Sequence, residues 1–176
     1  FGRSCAPFRL PVERLRGVDV SDDLAMGPVI AEMCPRWLEF LSATFSDSDR
    51  CIAALQEWFG YCLTPDISLQ KLLWLQGLPG SGKGTIREVL TAVVGDDNVA
   101  MVPDLESLTG RFDMGSLVGR NVAIIPELRI GRHTDVAIAL NRLLMISGGD
   151  PVAIEDKFSN RQPLVRLTCK FMVTPN

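Results

Sequence analysis

The residues with the clearest chemical pattern are 77–85, which read GLPGSGKGT and follow the spacing G-x-x-x-x-G-K. Glycines at this spacing let successive backbone N–H groups wrap around a phosphate with no side chain in the way. A helix that starts at the end of such a loop adds positive potential, and Lys83 adds a mobile cation. We therefore predict a nucleotide-binding loop. Its predicted binding residues are Gly77, Gly80, Ser81, Gly82, Lys83, Gly84 and Thr85.

The position after Lys83 departs from the commonest form of this loop. Gly84 stands there, where many phosphate-binding loops have a Ser or Thr whose hydroxyl binds Mg²⁺. The hydroxyl comes one residue later, at Thr85. We expect Thr85 to contact a phosphate or Mg²⁺, and the metal to depend more on water and on a carboxylate from elsewhere in the chain.

Glu127 is the candidate for that carboxylate. It ends the apolar run 121–127, NVAIIPE, and a strand that ends in an acid delivers a carboxylate beside the phosphates, in the manner of a Walker B motif. Two consecutive acids are commoner, one to order Mg²⁺ and one to activate water, but Pro126 precedes Glu127 here. Glu127 is thus predicted to act alone or with a further acid such as Asp135. The alternative is an exposed glutamate without a role in the chemistry.

The loop needs a strand before it and a helix after it. Residues 72–75 form an apolar run of strand length, and residues 86–94 have helical periodicity up to Gly95. Strands that alternate with helices favour an α/β fold with a parallel sheet. The further predicted strands are 99–102, 122–125 and 171–173, and the further helical patterns are 105–108 and 136–146.

The chain before the loop has a different character. Residues 1–35 lack sustained periodicity and remain an unassigned N-terminal segment. A short helix is predicted after Pro35, and a second one at 51–62, behind the capping candidates Ser46 and Asp47. We therefore predict a small helical region at 36–66, followed by the α/β core at 67–176.

Composition limits the class of protein. The chain has 176 residues, 47% hydrophobic and 22% charged, which is typical of a globular domain. Asn141 and Arg142 interrupt the longest apolar stretch well before the roughly 20 residues that a membrane span needs. Five widely spaced cysteines and one histidine, His133, argue against a disulfide framework or a zinc site. Reduced, mostly buried thiols and a cytoplasmic location are predicted, with His133 in a surface loop. Because the chain begins with Phe1, we expect a piece of a longer protein.

The charge is unevenly distributed. The net charge is −3, yet residues 157–176 contain four basic residues and no acidic one. From composition alone this segment is either a solvated face or a contact to nucleic acid. The four basic residues are Lys157, Arg161, Arg166 and Lys170.

Several segments in order resemble the phage and plasmid primase-helicases, whose helicase module belongs to superfamily 3. The similar segments before and after the loop are WLEFL at 37–41, LQEWFGY at 55–61 and LVGRNVA at 117–123. Residues 143–158 look like the B′ motif of that family, and FMVTPN at 171–176 looks like its motif C. The resemblance covers residues 36–176.

The resemblance implies an AAA+ type P-loop ATPase with a helical collar, working as a ring, expected to be a hexamer, with DNA in its channel. ATP and Mg²⁺ would be the cofactors, and a bacterial or phage-infected cell the setting. Lys83 and Glu127 would act on the triphosphate, and Asn176 would orient the attacking water. Lys157 would touch DNA from a hairpin, with Arg161, Arg166 and Lys170 along the channel. The resemblance also implies a primase domain upstream and an arginine finger beyond Asn176.

Two other functions remain open at this stage. The chain is alternatively a nucleotide-binding oligomerisation or DNA-binding module with little hydrolysis, consistent with Gly84 and Pro126. The other alternative is a nucleoside-monophosphate kinase, because the loop of those enzymes has the same G-x-P-G-x-G-K-G-T spacing. In those kinases, however, the loop lies near the N-terminus and Arg-rich lid segments follow it, whereas 76 residues precede the loop here and no lid pattern follows.

Overall fold

The computed structural model describes residues 28, 32–46, 48–109, 113–128, 135–154 and 163–175. The chain divides into two compact units, one of residues 8–57 and one of residues 1–7 and 58–176. Among the described residues, no helix is long and apolar enough to cross a membrane.

Two helices precede the phosphate loop, as predicted. Helix α1 is Pro35–Phe45, with Pro35 in its first turn, where a missing N–H costs nothing. Helix α2 is Asp49–Cys62. The prediction that Ser46 caps α2 is wrong, because Ser46 ends α1 in the left-handed conformation with its N–H bonded to the Ser42 carbonyl. The Ser48 carbonyl instead accepts the N–H groups of Cys51 and Ile52. Asp47 lies outside the described residues.

The unit that contains residues 58–176 alternates strands and helices, which confirms the α/β class. The predicted helical pattern at 105–108 is a single 3₁₀ turn, Glu106–Leu108, because Pro103 and the short span leave no room for a longer helix. Two other 3₁₀ segments are Asp96–Asn98 and Asp113–Leu117. The remaining elements are β1 (Leu73–Trp74), α3 (Lys83–Val94), β2 (Val99–Met101), β3 (Val122–Ile125), α4 (Val136–Gly148), β4 (Pro151–Ala153), β5 (Leu164–Arg166) and β6 (Lys170–Val173).

Four strands form one parallel sheet in the order β1-β6-β3-β2. Trp74 and Ile125 both pair with Val173, so the carboxyl ends of β1, β6 and β3 lie at the same level. The segments that follow these strands therefore meet at one edge of the sheet. This is the edge where α/β proteins build their sites.

The two central strands are covered on both faces. Every residue of β3 and β6 is buried, as expected for interior strands of a parallel sheet. One face packs into a hydrophobic core with α4, β4 and the 3₁₀ turns, using Ala123, Ile125, Phe171 and Val173. Since alternate residues point to opposite faces, Val122 and Lys170 belong to the other face.

Strands β4 and β5 form a separate antiparallel pair. This agrees with the hairpin expected from the B′ resemblance, although residues 155–162, which connect the strands and include Lys157 and Arg161, lie outside the described residues. Arg166 is at the end of β5 nearest Pro151.

Candidate nucleotide-binding site

The glycine-rich loop runs from the end of β1 to the start of α3. Helix α3 begins at Lys83, and Gly82 precedes it with a φ of 87°, a conformation that residues with a side chain rarely adopt. The Gly82 carbonyl accepts the Ile86 N–H, which leaves the N–H groups of residues 83–85 in the first turn without intrahelical partners. These donors and the helix dipole form a site suited to an anion.

Lys83 closes the loop on itself. Its ammonium group donates to the Gly77 carbonyl at 2.6 Å and to the Leu78 carbonyl at 3.0 Å. A Cβ on Gly77 would lie 2.7 Å from the Ser81 hydroxyl, so a side chain at position 77 would require the Ser81 side chain to move. Gly77 therefore permits the close approach of Ser81, and Lys83 holds a positive charge over the loop.

Glu127 is positioned by two neighbouring strands. It follows β3 after Pro126, and Thr174 directly after β6 binds this segment twice. The Thr174 N–H donates to the Ile125 carbonyl at 2.9 Å, and its hydroxyl to the Pro126 carbonyl at 3.3 Å. Thr174 is almost fully buried. These bonds fix the backbone from which the half-buried Glu127 extends.

The loop and Glu127 line one cavity of about 440 Å³. Six of the seven predicted loop residues line it, and Gly77 lies outside its wall. Its donors are loop N–H groups and cations, and its oxygen groups include the Thr85 hydroxyl and the Glu127 carboxylate. Hard oxygen ligands of this kind suit Mg²⁺ when phosphates complete the shell. The lining residues are Gly80, Ser81, Gly82, Lys83, Gly84, Thr85, Arg87, Glu88, Pro126, Glu127 and Thr174.

Besides Pro126, which the sequence analysis noted only as the neighbour of Glu127, three residues of this cavity were missed by sequence reasoning. Arg87 and Glu88 follow Lys83 and Gly84 by four positions on α3, a spacing that places them on the same helix face. That signal was available in the sequence. Thr174 depends on the order of the strands, which brings β6 between β1 and β3, and local sequence does not reveal it.

Asp135 has a different role from the one predicted. Its carboxylate accepts the N–H groups of Ala137 at 3.1 Å and Ile138 at 3.2 Å, as the N-cap of α4. This is a common way to satisfy the first turn of a helix. Asp135 does not line the cavity with Glu127, so the prediction of a helper acid there is wrong.

The predicted DNA contacts fall into three groups. Lys157 and Arg161 lie outside the described residues. The same is true of two residues with other predicted roles, the catalytic candidate Asn176 and the surface residue His133. Arg166 is exposed, with its guanidinium over the C-terminal end of α4, 2.8 Å from the Cβ position of Gly149. It stays a candidate.

Lys170 is a correction to this set. It is 2% exposed, its ammonium group donates to the Thr64 carbonyl, and it lies 4.8 Å from the centre of the Tyr61 ring. Burial lowers its pKa, although Cys62 and Asp66 favour its charged form. A lysine held in this way offers no charge to DNA in this structure, because its ammonium group is buried against the Thr64 carbonyl and the Tyr61 ring.

The described cysteines only partly match the prediction. Cys62 and Cys169 are buried, and burial raises the pKa of each thiol to about 12. Cys34 is half-buried and Cys51 is exposed, so the expectation of buried thiols is wrong for Cys51. Cys5 lies outside the described residues.

Comparison with known proteins places the fold. The family described as "Family of unknown function (DUF5906)" matches residues 75–176, more than half of the chain. No curated protein matches the sequence. Two apo structures of the NrS-1 C-terminal region have TM-scores of 0.59 and 0.58; each is 15% identical, with 78% of this chain and 32% of that chain covered.

The similarity to the NrS-1 region shows a shared α/β fold, and this chain spans about a third of that region's length. A crystal structure of JCV helicase with a bound acetamide compound is more distant. Its TM-score is 0.37 and its identity 18%, with 85% of this chain and 53% of that chain covered.

Proposed function

The chain belongs to DUF5906, a family of unknown function, and we propose that it is a helicase-like module. This module binds ATP with Mg²⁺ and couples ATP hydrolysis to movement along DNA. One observation carries the nucleotide part of the proposal, and the DNA part rests on the resemblance to the primase-helicases. Residues 80–85 of the loop line a single cavity with Glu127 and Thr174, which follow the two adjacent strands.

Each group in the cavity has a place in phosphoryl transfer. The N–H groups of the loop and the first turn of α3 bind the phosphates, and Lys83 exchanges a loop carbonyl for a phosphate oxygen. Glu127 orders Mg²⁺ or water at the γ-phosphate, with Thr85 as a further oxygen ligand. Catalysis of this reaction depends mainly on positioning and charge neutralisation, which these residues supply. Asn176 stays the proposed sensor for the water.

DNA is the proposed partner of a ring, expected to be a hexamer, with a primase domain upstream in the parent chain and an arginine finger beyond residue 176. Lys157, Arg161 and Arg166 are the proposed contacts. The logarithm of the affinity for single-stranded DNA falls as the logarithm of the salt concentration rises. The slope has a magnitude of only about 0.7 for a single subunit with one phosphate contact, and of about 4 for six such subunits around a pore. Strong binding would therefore require the assembled ring. We place this ring in the cytoplasm of a bacterial or phage-infected cell.

The experiment measures ATP hydrolysis with and without single-stranded DNA, on a chain that continues past residue 176. We expect DNA to stimulate turnover, Lys83→Ala to abolish ATP binding and turnover, and Lys71→Ala, at an exposed lysine outside the cavity, to change neither. Lys157→Ala should lose the stimulation and keep basal turnover.

A second function is favoured by two particular residues. Gly84 lacks the usual hydroxyl, and Pro126 stands where a second acid is common. ATP binding with turnover that stays flat at every DNA and protein concentration would therefore identify a nucleotide-gated assembly module. Phosphate transfer to AMP would instead identify a kinase, and no ATP binding would overturn all three.

A further inference from the structure

Glu88 brings a second carboxylate to the lining of the cavity, from a position on α3 close to Gly84 and Thr85. It follows Gly84 by four residues and Thr85 by three, so these residues share one face of the helix. Side chains on a helix lean towards its N-terminus and cover the preceding turn. From this position the side chain of the exposed Glu88 is long enough to reach back towards Gly84 and Thr85.

Gly84 leaves room for that carboxylate. A Cβ at position 84 would meet no atom within 4 Å. Many loops of this type have a hydroxyl here that binds Mg²⁺. Glu88 therefore lies one helical turn after the position of the missing hydroxyl, and the space over Gly84 is open.

The cavity is lined by this carboxylate and by a second one from a different element. Glu88 comes from α3, and Glu127 comes from the segment after β3. Mg²⁺ in phosphate-transfer sites is bound by one or two carboxylates, substrate phosphates and water. Two carboxylates, the Thr85 hydroxyl and an open loop wall at Gly84 fit that ion. Arg87, which also lines the cavity, adds a positive charge beside the phosphates.

We propose that Glu88 supplies the second carboxylate that holds Mg²⁺ with the bound triphosphate, in place of the hydroxyl that Gly84 lacks. This inference rests on the proposed nucleotide site. Pro126 stands where a second acid is common before Glu127. A carboxylate from α3 would supply that second acid, so the segment after β3 need not provide two acids.

A carboxylate that serves the metal has opposite effects with and without Mg²⁺. With Mg²⁺ it attracts the metal–nucleotide complex, whereas without Mg²⁺ it repels the triphosphate. Removing its charge should therefore weaken binding of Mg·ATP and strengthen binding of metal-free ATP. A residue with a merely structural role would change both affinities in the same direction.

The test uses fluorescence anisotropy of a labelled ATP analogue, in Mg²⁺ and in EDTA, on the full chain. We expect Glu88→Gln to weaken binding in Mg²⁺ by at least about 10-fold, the lower range for groups that support a metal, and to tighten binding in EDTA. The Mg²⁺ concentration for half-maximal binding should rise about 10-fold. Glu57→Gln, at an exposed glutamate outside the cavity, should match the wild type in every arm.

A second variant tests the link to Gly84. Gly84→Ser introduces the hydroxyl, so adding it to Glu88→Gln should return the Mg²⁺ requirement most of the way to the wild-type value. Unchanged or stronger Mg·ATP binding in Glu88→Gln would overturn the inference and leave the proposed function standing, as would equal losses in Mg²⁺ and EDTA. If the wild-type protein binds ATP in neither condition, the proposed function fails first and this inference with it.

Discussion

Lys170 begins β6 on the face of the sheet opposite the hydrophobic core, and its ammonium group connects that strand to the segment after α2. It donates to the Thr64 carbonyl, which lies 106 residues away in sequence, and it lies over the Tyr61 ring. An ion of this kind needs a partner when buried, and the carbonyl and the ring provide one. Among the basic residues of 157–176, Lys170 therefore serves the fold, whereas Lys157, Arg161 and Arg166 stay the proposed DNA contacts.

Substitution of Lys170 separates these two roles. Lys170→Met keeps the aliphatic stem and removes the charge, so we expect no change in the slope of log affinity for single-stranded DNA against log salt. Arg166→Met, at an exposed position, should reduce the slope by about 0.7 for each subunit whose contact is lost, and so by about 4 for a ring in which all six subunits contact DNA. Both slopes come from anisotropy titrations at several salt concentrations. A reduction of the same size in Lys170→Met would restore Lys170 to the DNA contacts.

The elements that sequence predicts best are those in which one pattern covers many residues. Strand β3 and the start of α4 match the predicted bounds, because an unbroken apolar run and a helical period each reflect burial of a whole face. Strand β1 is only Leu73–Trp74, shorter than predicted. Strands β4 and β5 have three residues each, too few for periodicity, and only the B′ resemblance pointed to them.

The candidate site divides in the same way. The loop and Glu127 are readable because each is a short contiguous pattern beside a strand or helix. Thr174 and Lys170 are not readable, because their roles depend on the position of β6 between β1 and β3. Glu88 is an intermediate case, since helical spacing places it near Gly84 but only the cavity joins it to Glu127.

Gly149 connects α4 to the β4–β5 pair. It ends α4 with a φ of 78°, the usual glycine cap. A Cβ there would lie 2.8 Å from both the Arg166 guanidinium and the Ile67 side chain. The left-handed backbone conformation favours glycine, and a side chain here would also displace the ends of the Arg166 and Ile67 side chains.

We expect Gly149→Ala to lower the free energy of unfolding by about 1–3 kcal/mol, from left-handed strain and displaced neighbours. Gly60→Ala is the matched control, because Gly60 lies within α2 and a Cβ there meets nothing within 4 Å. That change should stabilise the protein by up to about 1 kcal/mol through helix propensity. Urea unfolding measures both. Equal effects of the two substitutions would contradict this description of the α4 cap.

At the scale of the whole molecule, the two buried thiols make folding sensitive to alkaline pH. Cys62 ends α2 and Cys169 precedes β6, and burial raises both pKa values from about 9 to about 12, with a smaller opposing effect of Lys170. In the unfolded chain these thiols lose their protons near pH 9, whereas in the folded protein they keep them until about pH 12. The unfolded state thus binds fewer protons in this range, so the free energy of unfolding falls as pH rises.

Other groups in this cluster change the size of the effect. Burial also raises the pKa of Tyr61, which adds to the loss of stability above pH 10. Burial lowers the pKa of Lys170, so the folded state releases that proton before the unfolded state does. The contribution of Lys170 to the free energy of unfolding therefore rises with pH, until the unfolded lysine titrates near 10.5. Asp66 has a lowered pKa through its bonds to Ser68 and does not titrate at alkaline pH. Since Tyr61 and Lys170 act in opposite directions, the fall in the free energy of unfolding per pH unit comes mainly from the two thiols.

Each thiol should contribute a fall of about 1.4 kcal/mol per pH unit between pH 9 and 12. Urea unfolding in reducing buffer from pH 8 to 11 measures the slope. Cys62→Ala and Cys169→Ala should each make it shallower by about that amount, although each variant starts from a lower stability because it leaves a small cavity. Cys51→Ala, at an exposed position, should leave the slope unchanged. If all three variants keep the wild-type slope, the two buried thiols do not cause the alkaline loss of stability.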